Sequence, residues 1–203
     1  KDYKRLDYTP DPAFSPDSKR LAYVSGEQGR CCVVLDGVRG KEYEDVADLV
    51  FSPDGTRFVY RAWDPGQLLV VNGVKEDNCS FVYEVVFSGD GRHLAVADND
   101  RVVLDGVAGQ RYSRAFGVVF SPDGKRLAYC AARRGNSKEL AVDWTEFVVI
   151  DGAEGKEYGD VGPIAFSPDG RAFATGGEDN LVRVWVTATL ACQQELPGHS
   201  KWV

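Results

Sequence analysis

One short pattern recurs five times along the 203-residue chain and constrains the fold more than any other feature. It reads Phe-Ser-Pro-Asp-Gly or a close variant, and its phenylalanines recur every 33 to 46 residues, at positions 14, 51, 87, 120 and 166. Repetition at a period of this size is the signature of stacked or radial repeats. The chain is therefore expected to consist of five similar structural units.

The chemistry of the pattern is that of a tight turn. Proline presets φ at the second position of a type I turn, serine hydrogen-bonds back to the chain, and glycine adopts a left-handed conformation at little cost. A short apolar run precedes each turn and an alternating run follows it, as in residues 48–51 and 57–60. We therefore predict a strand, a turn and a second strand in each repeat.

A second signature follows in each of the first four periods. Asp-Gly or Asn-Gly comes after a β-branched run at residues 36–37, 72–73, 105–106 and 151–152, which is a strong hairpin signal. Gly-Lys-Glu-Tyr then occurs at 40–43 and 155–158, and more loosely at 109–112. One period thus holds four short strands, named a, b, c and d in chain order.

A four-stranded sheet with two apolar faces cannot bury itself alone, whereas repetition around an axis covers each sheet with the next. We predict an all-β protein, a β-propeller of five four-stranded antiparallel blades in a single domain, 1–203. The blades are expected at about 10–46, 47–84, 85–115, 116–161 and 162–199, with 1–9 as an extra outer strand. A closed five-bladed ring and a fragment of a larger propeller both stay open, and a β-sandwich is the less favoured alternative.

The fifth repeat resembles a WD-repeat blade, because residues 166–170, 174–179, 182–185 and 196–199 follow that family's order and spacing. The first four repeats look more like the WD-like blades of TolB-like propellers, which favour the same turn and the same Lys-Glu-Tyr ending. The resemblance implies a structural hydrogen-bond network of Trp185, Thr175 and Asp179. Glu157 stands where the family's histidine belongs, and His199 would serve a sixth blade that the chain only begins.

Composition narrows the possible partners and the compartment. The net charge of −7 is spread over interspersed acidic and basic residues, which argues against nucleic-acid binding. Since no apolar run approaches the length of a membrane span, no membrane association is expected. Five cysteines without a C-x-x-C pair favour buried or half-buried thiols in a reducing compartment over a disulfide framework. The cytoplasm is therefore favoured, although any targeting signal of a longer parent would be invisible.

The sequence offers little for catalysis. Its two histidines, His93 and His199, have no metal-site spacing with cysteines or carboxylates. Neither a nucleophile elbow nor a P-loop occurs. We therefore expect no catalytic residue, no metal and no cofactor, and hence a protein that is not an enzyme.

A binding role is better supported, because the b–c connections differ between repeats while the turns are nearly constant, and loops often carry function. By resemblance to WD propellers, these loops would share one face. Trp63 and Trp144 are the expected anchors, with Arg61, Arg133 and Arg134 as a charged rim. The alternative is that both tryptophans pack between loops or blades.

The sequence-based hypothesis is a non-catalytic propeller scaffold that binds a protein or peptide partner through the b–c loop face. One alternative is an accessory propeller of a larger enzyme with a serine-peptidase-like domain. Another is an excised or designed propeller fragment without a partner. Self-association through open blade edges is a further expectation.

Overall fold

The computed structural model describes residues 10–27, 29–79, 81–134 and 144–198. The outer strand predicted at 1–9, most of the long b–c loop of the fourth repeat, and His199 lie outside the described residues. The chain divides into two compact units, residues 1–82 and 83–203, and each is described by itself.

The first unit contains two four-stranded antiparallel sheets. The first sheet consists of β1 (Ala13–Phe14), β2 (Leu21–Glu27), β3 (Arg30–Leu35) and β4 (Val38–Tyr43). The second sheet consists of β5 (Asp45–Phe51), β6 (Phe58–Trp63), β7 (Gln67–Val71) and β8 (Val74–Glu76).

Three further four-stranded sheets follow, and the boundary between the units falls inside their first strand. The third sheet consists of β9 (Val82–Phe87), β10 (Leu94–Asp98), β11 (Arg101–Leu104) and β12 (Val107–Ala108). The fourth consists of β13 (Arg114–Phe120), β14 (Leu127–Arg134), β15 (Trp144–Ile150) and β16 (Ala153–Glu154). The fifth consists of β17 (Ile164–Phe166), β18 (Ala172–Thr175), β19 (Leu181–Val186) and β20 (Ala191–Pro197).

The described residues thus form five four-stranded antiparallel sheets, each with strands in chain order a to d, which is the strand order of a propeller blade. The predicted fold class is confirmed, whereas the single-domain organisation stays a prediction. None of the described residues belongs to a helix long and apolar enough to cross a membrane.

Three a strands begin earlier than the blade limits expected from the sequence. β5 begins at Asp45 and β13 at Arg114, each two residues ahead of the expected start, and β9 begins at Val82, three residues ahead. β5 and β13 each contain a bulge, where Asp48 and Gly117 have φ values of 54° and 64°. A bulge lets a strand change direction and keep pairing, so pairing continues beyond the point where the apolar pattern stops.

The serine of each a–b turn forms the same contacts in all five repeats. In the fourth repeat, Ser121 Oγ donates to Asp123 Oδ1 at 2.6 Å and accepts from the backbone N–H of Arg126 at 3.0 Å. Gly124 has a φ of 71° and donates its N–H to the carbonyl of Ser121. The third repeat keeps these contacts although Gly89 replaces proline. The predicted turn is confirmed, and serine and aspartate rather than proline hold it.

The c–d turns of the first four sheets share a second contact. In the fourth sheet, the Asp151 carboxylate accepts from the backbone N–H of Leu127 at 2.9 Å, while Asp151 itself has a φ of 51°. The same bond occurs in the first, second and third sheets, where the acceptors are Asp36, Asn72 and Asp105. Because this side chain reaches from the end of strand c to the start of strand b, we call the contact the c–d clamp.

The core lies between neighbouring sheets. In the first unit, a buried cluster that includes Val33, Val46 and Phe58 joins the first sheet to the second. In the second unit, one cluster joins the third and fourth sheets and another joins the fourth and fifth. Strand β14 consequently has buried residues on both of its faces.

Candidate functional site

The predicted binding residues of the first unit lie at the end of β6, where the b–c loop of the second sheet begins. The guanidinium of Arg61 lies 5.9 Å from the centre of the Trp63 ring. Arg61 also pairs with the carboxylate of Asp48 and donates to the backbone carbonyl of Val82 at 3.1 Å. Arg61 is therefore engaged by its own unit, and the half-buried indole of Trp63 has one face against it.

An open cleft lies beside this loop and was not anticipated from the sequence. It has a volume of about 440 Å³ and is lined by charged side chains, which are Arg30, Lys41, Glu42, Glu44 and Asp64. Ion pairs of 2.9 Å join Lys41 to Asp64 and Arg30 to Glu42. Lys41 belongs to the repeated Lys-Glu-Tyr ending, from which the sequence alone predicts only a strand. The pairing of Lys41 with the next sheet becomes visible only in three dimensions.

The predicted binding residues of the second unit lie at the b–c end of the fourth sheet. Arg134 and Trp144 are directly opposite each other in the β14–β15 register. Both are exposed, and Trp144 keeps 52% of its surface in contact with solvent. Residues 135–143 between them lie outside the described part of the chain.

Arg133 differs from its neighbour. Its guanidinium lies 4.1 Å from the centre of the Phe147 ring and pairs with the carboxylates of Glu154 and Glu157. Thr145 Oγ1 also donates to Glu157 at 3.0 Å. Arg133 and Glu157 thus stabilise the fourth sheet, and Arg134 is the more accessible cation at this end of the sheet.

The fifth sheet contains the tryptophan that the sequence assigned to a structural network. Trp185 Nε1 donates to Thr175 Oγ1 at 3.0 Å, and both residues are buried. The Trp185 ring stacks on Phe173 with a centroid distance of 5.9 Å and meets the edge of Tyr158 at 5.7 Å. These contacts fix strand c of the fifth sheet against strand b.

Asp179 has a different partner from the one expected in this network. It accepts from Arg183 at 2.5 Å and from the backbone N–H of Leu181 at 3.1 Å. The bond from Arg183 lowers the pKa of Asp179 below its ordinary value. Arg183 is 7% exposed, pairs also with Glu195, and lies 4.5 Å above the Tyr158 ring. The sequence contained a signal for these contacts of Arg183, since Arg183 lies two residues before Trp185 and therefore on the same face of the strand.

Two titratable side chains of the described residues, His93 and Cys130, have structural surroundings. His93 Nδ1 lies 2.7 Å from Asp105 Oδ2, at the c–d clamp of the third sheet. Burial raises the pKa of the Cys130 thiol to about 12, so at neutral pH this residue is a poor nucleophile. Among the residues that the structure describes, no group of three or more histidines, cysteines and carboxylates is placed to hold a metal ion.

Four of the five cysteines are buried, as expected from the sequence, and one is exposed. Cys31, Cys32 and Cys130 are buried free thiols, and Cys79 is buried. Cys192, by contrast, is a free and exposed thiol on β20. It is exposed because all seven residues of that outer strand face solvent.

These features define a repeat protein of blade-like antiparallel sheets, and comparison with known proteins agrees. The family model described as "WD domain, G-beta repeat" matches residues 164–186, which lie within the fifth sheet. The predicted resemblance to a WD repeat is confirmed there.

One similar solved structure is that of TolB from Acinetobacter baumannii, with 20% sequence identity and a TM-score of 0.48. The match covers 93% of this chain and 54% of that chain, so this chain spans about half the length of that protein. No curated protein matches the chain.

Proposed function

We propose that the chain is a non-catalytic β-propeller scaffold that binds a protein or peptide partner through its b–c loops. The observation that carries the proposal is the exposed side chain of Trp144, whose partner in the β14–β15 register is the exposed residue Arg134. Tryptophan is highly buried on average, so an indole with 52% of its surface in water is unusual. Tryptophan and arginine are also the residue types that contribute most often to binding hot spots.

The first unit offers a second contact region at the equivalent end of the second sheet. Trp63 lies directly before Asp64, which lines the charged cleft. The lining carries three carboxylates and two cations, arranged as two surface ion pairs and Glu44. Surface ion pairs contribute little to stability. A bound peptide with charges of both signs can therefore replace these ion pairs with its own at a small cost in free energy. A peptide with charges of both signs is therefore the ligand class that we propose for this region.

The test is a peptide selection followed by affinity measurement. Peptides selected from a random displayed library on the intact chain are synthesised, and their dissociation constants are measured by fluorescence polarisation. Trp144→Ala or Trp63→Ala is expected to weaken the selected peptides about tenfold or more, as expected for an aromatic hot spot. Tyr83→Ala is the matched control, because Tyr83 is also an exposed aromatic residue of a strand.

The unfolding midpoint of each variant is measured in parallel, so that loss of binding is not confused with loss of fold. Selected peptides that bind both tryptophan variants as tightly as the wild-type chain contradict the proposal. Binding that is lost only in Tyr83→Ala places the contact elsewhere and also contradicts it.

A further inference from the structure

The two faces of the fifth sheet are buried to different extents. In β18, and in β19 from Val182 onward, half-buried and buried residues alternate, whereas every residue of β10 is buried. Successive side chains of a strand point to opposite faces, so one face of the fifth sheet is fully covered and the other is only partly covered. The covered face contains Phe173 and Trp185, which pack against the fourth sheet.

The less covered face is mostly apolar. Strand register places on it Ala165, Ala172, Ala174, Val182, Val184, Val186, Ala191, Gln194 and Leu196. The valines are half-buried, and Leu196 is 37% exposed. We call these residues the free face. A contiguous apolar surface of this kind marks an interaction site.

The molecule itself shows how such a face is covered. On the fourth sheet, Ala128 and Ile150 occupy the positions that Ala174 and Val184 occupy in the fifth, as their pairing shows. Ala128 is 0% exposed and Ile150 is 2% exposed, because large residues of the fifth sheet pack over them. The free face therefore has the small, flat composition that accepts large apolar side chains from another sheet.

The first sheet exposes large side chains of the matching kind. Phe14 is 65% exposed and Tyr23 is 37% exposed, and Phe14 is paired in register with Leu21. In the second sheet the repeat equivalents of Phe14 and Leu21 are Phe51 and Phe58, which are 9% and 1% exposed. The first sheet thus presents an aromatic surface, made of Phe14, Leu21 and Tyr23, that corresponds to a covered surface in the next repeat.

We propose that the free face is a docking surface for a second copy of this chain, which binds through the aromatic surface of its first sheet. Such a contact joins two different surfaces and is heterologous, so copies add head to tail. Two free faces packed on each other would place small residues against small residues and leave voids, which well-packed interiors avoid. The inference is independent of the proposed b–c loop function.

The experiment measures solution mass by light scattering across a wide concentration range. The wild-type chain is expected to exceed its single-chain mass of 22.3 kDa increasingly as concentration rises. Val184→Glu on the free face and Phe14→Glu on the aromatic surface are each expected to give a monomer. Val107→Glu is the control, because Val107 is 72% exposed on β12 and belongs to neither surface, so association should persist.

Mixing the two variants tests the head-to-tail arrangement. Val184→Glu keeps an intact aromatic surface and Phe14→Glu keeps an intact free face, so the mixture is expected to form a dimer and nothing larger. Val182→Lys replaces Val184→Glu if the latter does not fold, as judged by circular dichroism. A wild-type chain that stays monomeric throughout overturns the proposal, and so does self-association of Phe14→Glu alone.

Discussion

The first four sheets and the fifth sheet fasten strand c to strand b in different ways. The first four use the c–d clamp, in which a turn aspartate or asparagine binds a backbone N–H of strand b. In the fifth, Thr187 directly follows strand c, and its Oγ1 has no partner among the described residues. The fifth sheet relies instead on the buried bond from Trp185 to Thr175 and on the pairing of Arg183 with Asp179.

The same repeat pattern can therefore hold strand c against strand b in two different ways. The clamp is polar and lies at the periphery of a sheet, so it fixes the hairpin without contributing much apolar burial. The tryptophan fixes the same strand pair and also fills the space against the fourth sheet. Each of the first four sheets therefore has one polar clamp, whereas in the fifth sheet Trp185 supplies both the hydrogen bond and the apolar packing.

Replacing Trp185 should give the largest effect. Trp185→Ala is expected to reduce the free energy of unfolding by about 3–5 kcal/mol, because it removes a buried ring and leaves a cavity. Urea unfolding followed by circular dichroism measures the change. Trp144→Ala is the control and should alter stability by less than about 0.5 kcal/mol, since its indole is exposed. A loss of stability in Trp185→Ala as small as that in Trp144→Ala would show that the fifth sheet does not depend on Trp185.

Removing a clamp should give a smaller effect. Asp151→Gly keeps a residue that tolerates positive φ but deletes the acceptor of the Leu127 N–H, and is expected to cost about 1 kcal/mol. Asp151→Asn should be nearly neutral, because asparagine already fills this role at position 72. Thr187→Val is the matched change in the fifth sheet. It should be neutral or slightly stabilising, because it replaces an unpartnered buried hydroxyl with a methyl group. A neutral Asp151→Gly would contradict the structural role of the clamp.

The smallest expected effect is a pH dependence of stability, which the a–b turns of all five sheets share. The hydrogen bond from the turn serine lowers the pKa of Asp17, Asp54, Asp90, Asp123 and Asp169 below the ordinary value of 3.8. A carboxyl whose pKa is lower in the folded state contributes stability above its unfolded pKa and loses it as pH falls through the folded value. Stability should therefore fall as pH drops through 3.8 and below.

Ser121→Ala sharpens this test. Without the serine hydroxyl, the pKa of Asp123 moves back toward its ordinary value, so the variant should be less stable above pH 3.8 and should lose less stability below it. Urea unfolding at a series of acidic pH values gives the comparison. Parallel stability curves for the variant and the wild-type chain would show that the serine does not set the aspartate pKa.

Much of the architecture was predictable, because its determinants are local. The turn serine, aspartate and glycine lie within five residues of one another, and the Asp-Gly and Asn-Gly turns adopt the positive φ values that their composition favours. The strand count of each repeat follows from these turns. The bulges at Asp48 and Gly117 were missed, since nothing in the apolar pattern marks them.

The site was predictable only in part. Proximity in sequence suggested that Arg133 and Arg134 belong to one charged rim, but they lie on opposite faces of β14, and only Arg133 meets Phe147. Arg61 is likewise engaged by Asp48 and Val82, on other strands. The cleft around Lys41 and Asp64 joins two sheets, so neither repeat alone indicates it.

The repeat, its turns and its four antiparallel strands follow from the sequence alone, because hydrogen bonds over a few residues and the alternation of side chains depend only on neighbours along the chain. Which residues are covered follows only from the tertiary structure. Phe14 and Phe51 occupy the same place in their repeats, yet one is exposed and the other is buried. Burial depends on what packs against a sheet, and that partner is remote in sequence or belongs to another molecule.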